Sequence, residues 1–259
     1  AALSLRWNRD ADAIRSLRLI EKIPESADVT SFVFESRDGG PLPEFEAGQH
    51  LPIELEVPEF SEPIRRTYSL SAGPGTGDGP ERYRISVKRE AQGIASRHLH
   101  DHVDVGAFIN MRHPAGDFML SCARCPVVLV SAGVGLTPLV AMLHVLAGEG
   151  GSRPVWFVHG ARDGAHHPLA DEVRQLCRAR SGIALHVAYS KPRPEDGLGT
   201  DHDSAGRVDA ALLAGLVENA DAHYFLCGPT RFMADLQTGL EQRGIPAAQI
   251  HSETFGPVG

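Results

Sequence analysis

Five short stretches of this 259-residue chain hold residues whose types and spacing suit a phosphorylated, flat ligand. Gly133-Val134-Gly135-Leu136-Thr137-Pro138 follows the apolar run Pro126–Val130 and opens a helical pattern. Strand, glycine turn and helix start together present backbone N–H groups to a diphosphate. Pro138 stands where dinucleotide folds usually carry a third glycine, and proline fits the first turn of a helix, where its missing N–H costs nothing. Phe225-Leu226-Cys227-Gly228-Pro229 reads as a buried strand ending in small residues that leave room for a flat ring. In Arg66-Thr67-Tyr68-Ser69 the period of two puts Arg66 and Tyr68 on one face, an arginine fork for phosphate beside an aromatic ring for packing. Gly93-Ile94-Ala95-Ser96 is a second phosphate-ready helix start. Near the C-terminus Glu253 and Phe255 stand two apart, on one side of a strand. Two separate anion sites imply two phosphate-bearing ligands.

The elements that must position these residues fall into two kinds. The first half carries six short strand patterns, Ser16–Ile23, Val29–Glu35, His50–Glu56, Arg66–Ser71, Tyr83–Lys88 and Ala107–Arg112, with one helix at Ile94–His102. Pro, Gly and Asp clusters separate them, which predicts an antiparallel barrel or sandwich. The second half alternates. Strands are predicted at Pro126–Ser131, Pro154–His159, Ala184–Ala188 and Tyr224–Cys227, and helices at Thr137–Ala147, Leu169–Arg178, Val208–Val217 and Arg231–Arg243, with Gln249–Phe255 as a last strand. Such alternation predicts a parallel sheet covered on both faces. The polar stretch Pro192–Ser204 is expected to be a mobile loop.

Composition narrows the function classes. A formal net charge of -8 argues against nucleic acid. The apolar run Cys125–Gly148 approaches membrane-spanning length, but its glycines, Pro138 and His144 fit a strand followed by a helix, so no membrane insertion is expected. Asp10 and Arg15 interrupt the start, no secretory signal is visible, and a cytoplasmic location is expected. Cys122-Ala-Arg-Cys125 has no second pair to complete a four-cysteine cluster and reads as two incidental thiols. His98, His100 and His102 read as a solvated helix end, as do His166 and His167 as a solvated pair, and no metal site is expected.

These motifs in this order resemble the ferredoxin–NADP⁺ reductase superfamily, most of all flavohaemoglobin reductase modules and the reductase components of ring-hydroxylating oxygenases. The resemblance covers residues 15–257. It implies an N-terminal segment or linker (1–14), an antiparallel flavin-binding β-barrel (15–121), and a doubly wound, parallel-sheet NAD(P)-binding domain (122–259). It implies Arg66 at the flavin phosphate, Tyr68 packed on the isoalloxazine, Ser69 near its N5, and His50 facing the ring. Thr67 and Val87 count with the cofactor contacts, and Gly93 and Ser96 with the flavin diphosphate. Gly133, Gly135, Thr137, Pro138, Cys227, Gly228 and Pro229 fall to the nicotinamide nucleotide. Ser69, Glu253 and Phe255 form the implied catalytic set, with Phe255 covering the ring until nicotinamide displaces it.

The implied activity is hydride transfer from NADH or NADPH to flavin N5, then single-electron transfer to a ferredoxin-like [2Fe-2S] or haem acceptor, in trans or on the same full-length polypeptide. FAD is favoured, with FMN possible. NADH is the expected donor; Arg162 and Arg193 are the candidates should a 2′-phosphate be bound. Two alternatives stay open: a flavin-binding electron-relay or assembly subunit without its own NAD(P)H turnover, and a nicotinamide dehydrogenase without flavin.

Overall fold

The structure, a computed structural model, describes residues 14–75, 79–121, 124–151, 153–219 and 221–255. The expected N-terminal segment therefore lies, but for Ile14, outside the described residues.

Alternating apolar residues build the first half. The strands are β1 (Arg15–Pro24), β2 (Val29–Ser36), β3 (His50–Leu55), β4 (Ile64–Ser69), β5 (Arg82–Lys88) and β6 (Phe108–Met111). They pair antiparallel in the order β4-β3-β6-β1-β2-β5. A bridge between Leu70 and Ile85 joins the two edges and closes the sheet into a barrel. Inward residues such as Leu19, Phe32, Phe34, Leu51, Ile53 and Ile85 fill it, and helix α1 (Ile94–His102) adds Ala95 and Leu99 to the same core. Strand β4 starts and stops two residues before its predicted place, because its pairing with β3 runs from Leu55–Ile64 to His50–Ser69.

The second sheet is parallel, with β7 (Val127–Ala132), β8 (Val155–Ala161), β9 (Ile183–Tyr189), β10 (Ser204–Ala205), β11 (His223–Cys227) and β12 (Ile250–Glu253) in the order β10-β9-β8-β7-β11-β12. Successive β7 residues serve opposite faces. Val127 and Leu129 pack under α2 (Leu136–Gly148) and α3 (Ala170–Ala179), whereas Val128 and Val130 pack with α4 (Ala210–Leu216) and α5 (Thr230–Glu241). Strand order reverses between β7 and β11, the switch point where open α/β sheets bind ligands.

Helix α2 is buried from Leu136 to Leu143, wedged between sheet and barrel, which accounts for the long apolar run. Among the described residues no helix is long and apolar enough to cross a membrane. The halves are pinned together: Arg84 of β5 donates two 2.7 Å hydrogen bonds to Glu172 of α3, which also sits 2.6 Å from His144 of α2.

Several local expectations are corrected. The 192–204 stretch is tied down: Asp196 accepts from the backbone N–H of Arg193 and of Gly164, Asp201 accepts from Gly197, and His202 is buried. It also delivers the short strand β10, too brief to leave a periodic signal. His100 is not solvated; it lies edge-on to Phe32 with Nε2 2.8 Å from the Val87 carbonyl. His167 is buried, stacked on His159 and 2.9 Å from the Tyr189 hydroxyl. Cys125 is disulfide-bonded, so it is no incidental thiol, and Cys122 lies outside the described residues.

Candidate functional site

The Gly133–Pro138 loop and the Cys227–Pro229 turn leave the sheet side by side, after β7 and β11, at the switch point. The two loop glycines are there for different reasons. Gly133 adopts φ +56°, which side-chain-bearing residues rarely take. At Gly135 a Cβ would lie 2.4 Å from the Cys227 carbonyl oxygen and 2.6 Å from the Gly228 nitrogen, so the two turns touch backbone to backbone. Thr137 donates its hydroxyl hydrogen bond to the Val134 carbonyl (3.1 Å) and is buried, as is Pro138, so both shape the turn from within. The thiol of Cys227 is pushed up by burial and by the Glu253 carboxylate; it stays protonated at neutral pH and is no nucleophile.

A cleft of about 460 Å³ opens above these turns. Its walls include Gly133, Gly135, Gly228, Pro229 and the half-exposed ring of Phe255 on one side, and Val29 and Lys88 of the barrel on the other. It joins, at Ala132, Gly133, Arg162 and Pro229, a second groove of about 550 Å³ over Gly160 and Phe232.

On the barrel, register brings the first-half candidates together. Ser69 pairs with His50, Tyr68 with Leu51 and Arg66 with Ile53. Ser69 is buried; the Tyr68 ring packs on the barrel core, and burial pushes its hydroxyl up to about 12. Arg66 donates to the carbonyl of Arg65 at 2.7 Å. Thr67 is exposed on the opposite side of β4. Burial holds His50 below the usual histidine value, a neutral imidazole. Gly116 lies so close that a Cβ there would meet His50 Nδ1 at 2.9 Å. The next residue, Asp117, acts electrostatically on Glu253, whose carboxyl is held above the usual range first by burial and then by that aspartate. Glu253 pairs in register with Cys227. Ser69, His50, Asp117, Glu253 and Cys227 thus follow one another across the seam between barrel and sheet. Gly116 and Asp117 went unnoticed in the sequence, where a lone Gly-Asp looks like any turn.

Two candidates sit differently. Val87 is fully buried in the barrel core, with its carbonyl turned to His100, a placement that speaks for packing and not for direct contact. Arg193 lies in a loop held by Asp196 and Glu195, both at 3.1 Å. Gly93 opens α1 without any side-chain cap, leaving the first-turn N–H groups for a ligand; Ser96 is buried, accepting from the Glu90 N–H at 3.2 Å. A guanidinium beside a packed tyrosine, an uncapped helix start and a tight two-turn cradle fit two dinucleotides.

Comparisons with known proteins agree. Residues 16–120 match the model of the oxidoreductase FAD-binding domain, and residues 129–238 that of the oxidoreductase NAD-binding domain. A solved structure, the flavohem-like FAD/NAD-binding domain of nitric oxide dioxygenase from Vibrio cholerae O1 biovar El Tor, is 37% identical, with a TM-score of 0.82 over 94% of this chain and 99% of that one. The chain belongs to the ferredoxin–NADP⁺ reductase family. A flavohemoprotein of Deinococcus radiodurans is 41% identical to this reductase over 94% of the chain and 59% of its own length. Phthalate dioxygenase reductase is 27% identical, with a TM-score of 0.74 over 96% of this chain and 70% of the other. The reductase therefore spans about three fifths of the length of the curated relatives it matches. It is an FAD- and nicotinamide-nucleotide-binding oxidoreductase module.

Proposed function

We propose that this module takes hydride from NAD(P)H onto FAD and delivers single electrons to a haem centre carried on the same full-length polypeptide. The cleft between Gly133–Gly135, Gly228–Pro229 and Phe255, facing the barrel through Lys88 and Val29, carries the reading. It sets the nucleotide cradle of one half against Asp28, Val29, Lys88 and Glu90 of the barrel. The haem acceptor is favoured over an iron–sulfur one because relatives 41–42% identical are flavohemoproteins, about two fifths of whose length lies outside the match. The flavin half takes in residues 15–121 and the nucleotide half residues 122–259.

FAD, when bound, supplies the conversion of a two-electron hydride into single electrons. The chain's own residues do the rest. Arg66 and the first turn of α1 after Gly93 hold the flavin phosphates, with Ser96 fixing that turn. Tyr68 packs on the flat ring, Thr67 between Arg66 and Tyr68 meets the cofactor through its backbone, and the Ser69 hydroxyl donates near its reacting nitrogen, with neutral His50 beside it. Gly133, Gly135, Thr137 and Pro138 shape the cradle for the nucleotide diphosphate, while Cys227, Gly228 and Pro229 leave room for the nicotinamide. Glu253, held above the usual carboxyl range by burial and Asp117, orients the nicotinamide. Phe255 covers the site when no nucleotide is bound and keeps water out.

Anaerobic mixing of the FAD-loaded chain and NAD(P)H with a ferric globin or an oxidised [2Fe-2S] protein tests the acceptor. Faster reduction of the haem is expected; reduction of the iron–sulfur protein alone would contradict it.

A further inference from the structure

The second groove carries positive charge from three separate parts of the chain. Arg162 follows β8, Arg207 precedes α4 and Arg231 lies in the first turn of α5; all three line the groove and all three are exposed. Their carboxylate contacts are loose: Arg162 lies 3.6 Å from Asp163, and Arg231 3.7 Å from Asp235. Two acids share the lining. Asp209 is committed as the N-cap of α4, accepting from the Leu212 N–H at 2.8 Å, and Asp235 faces Arg231. Where a dinucleotide fold uses NADH, an acid near the end of the second strand binds the ribose 2′-hydroxyl; where it uses NADPH, an arginine there meets the 2′-phosphate. The nearest acid here, Asp163, does not line the groove. It is buried, accepting from the His166 N–H (3.2 Å) and held to His166 Nδ1 (2.6 Å).

We propose that this chain selects NADPH over NADH, its 2′-phosphate held by Arg162, Arg207 and Arg231. This rests on the reading that a nicotinamide nucleotide spans both grooves. It reverses the expectation of NADH: Arg162 was visible as a candidate, but only the fold brings Arg207 and Arg231 to it from 45 and 69 positions away. Guanidinium groups suit the task, since each can meet a phosphate with two parallel hydrogen bonds.

The test uses the FAD-loaded chain in two ways. Calorimetric titration compares 2′,5′-ADP with 5′-AMP, and steady-state kinetics compare kcat/KM for NADPH and NADH. Tighter binding of 2′,5′-ADP by about tenfold or more is expected, the scale of one charge-assisted hydrogen bond, with a matching NADPH preference. Arg162→Ala and Arg207→Glu should each lower the NADPH/NADH ratio, chiefly through KM. Equal binding of the two probes, or a wild-type preference for NADH, overturns the proposal while leaving the reductase reading intact. Failure of both NADPH and NADH to reduce the flavin overturns the reductase reading itself, and the probe titration still decides whether the arginines hold a 2′-phosphate.

Discussion

Gly133 and Gly135 look equivalent in the chain and are not equivalent in the fold. Gly133→Ala strains a left-handed backbone in open space and should cost about 1 kcal/mol. Gly135→Ala drives a methyl into the Cys227–Gly228 backbone, so it should cost about 2–3 kcal/mol and weaken nucleotide binding as well. Thermal melts with 2′,5′-ADP titrations check the order. The Gly-x-Gly spacing announced a phosphate loop, but which glycine tolerates a side chain depended on a turn 92 residues downstream. Phe255, half-exposed at the cleft, makes a different prediction. If nucleotide must displace its ring, Phe255→Ala should bind nucleotide about fivefold tighter, since roughly 1 kcal/mol of ring burial no longer opposes entry. Unchanged affinity and unchanged hydride-transfer rate would remove the covering role.

At the scale of elements, the parallel sheet hides a row of rings whose titration the sequence did not announce. His159 of β7's neighbour β8 lies 2.8 Å from the Ser131 hydroxyl and stacks on His167, which meets Tyr189 of β9, itself stacked on His202. Burial, then the neighbouring His167, drives His159 well below the usual value; burial, then Arg174, lowers His167 to about 4. A histidine lowered in the folded state contributes stability fully present above its unfolded pKa, near 6.5, and lost as pH falls toward the folded value. Thermal midpoints should therefore drop between about pH 6.5 and 4, and His167→Gln should flatten that slope. Strand and helix positions were legible because periodicity of 2 and 3.6 reports burial directly. Which polar residues turn inward was not: a His-His pair reads the same on a surface as in a core, and the Asp-rich 192–204 stretch gave no sign that its carboxylates would bond its own backbone.

At the scale of the whole molecule, one carboxylate couples the two halves. Burial opposes charge on Glu172, yet hydrogen bonds from His144 and Arg84 outweigh it and hold its pKa at about 2. A lowered carboxylate contributes stability present above its unfolded pKa of 4.5 and lost as pH falls toward the folded value of about 2, a window that begins where that of His167 ends. Glu172→Gln should cost about 1–3 kcal/mol and raise hydrogen exchange along β5 and α3 while leaving their interiors protected. Protection unchanged at both would mean that the contact carries no coupling. The two architectures, and the order of their motifs, were readable from the strand-rich half and the alternating half. The seam was not, because Arg84, His144 and Glu172 belong to no motif, lie far apart in the chain and meet only in the tertiary fold. The same holds for the array from Ser69 through His50 and Asp117 to Glu253. On the proposed function, this seam passes hydride from a nucleotide on one half to FAD on the other. Anaerobic titration of the FAD-loaded chain with NADPH and NADH, followed through the visible flavin bands, tests it most directly. Stoichiometric bleaching is the predicted result; flavin bands that neither nucleotide changes would contradict it.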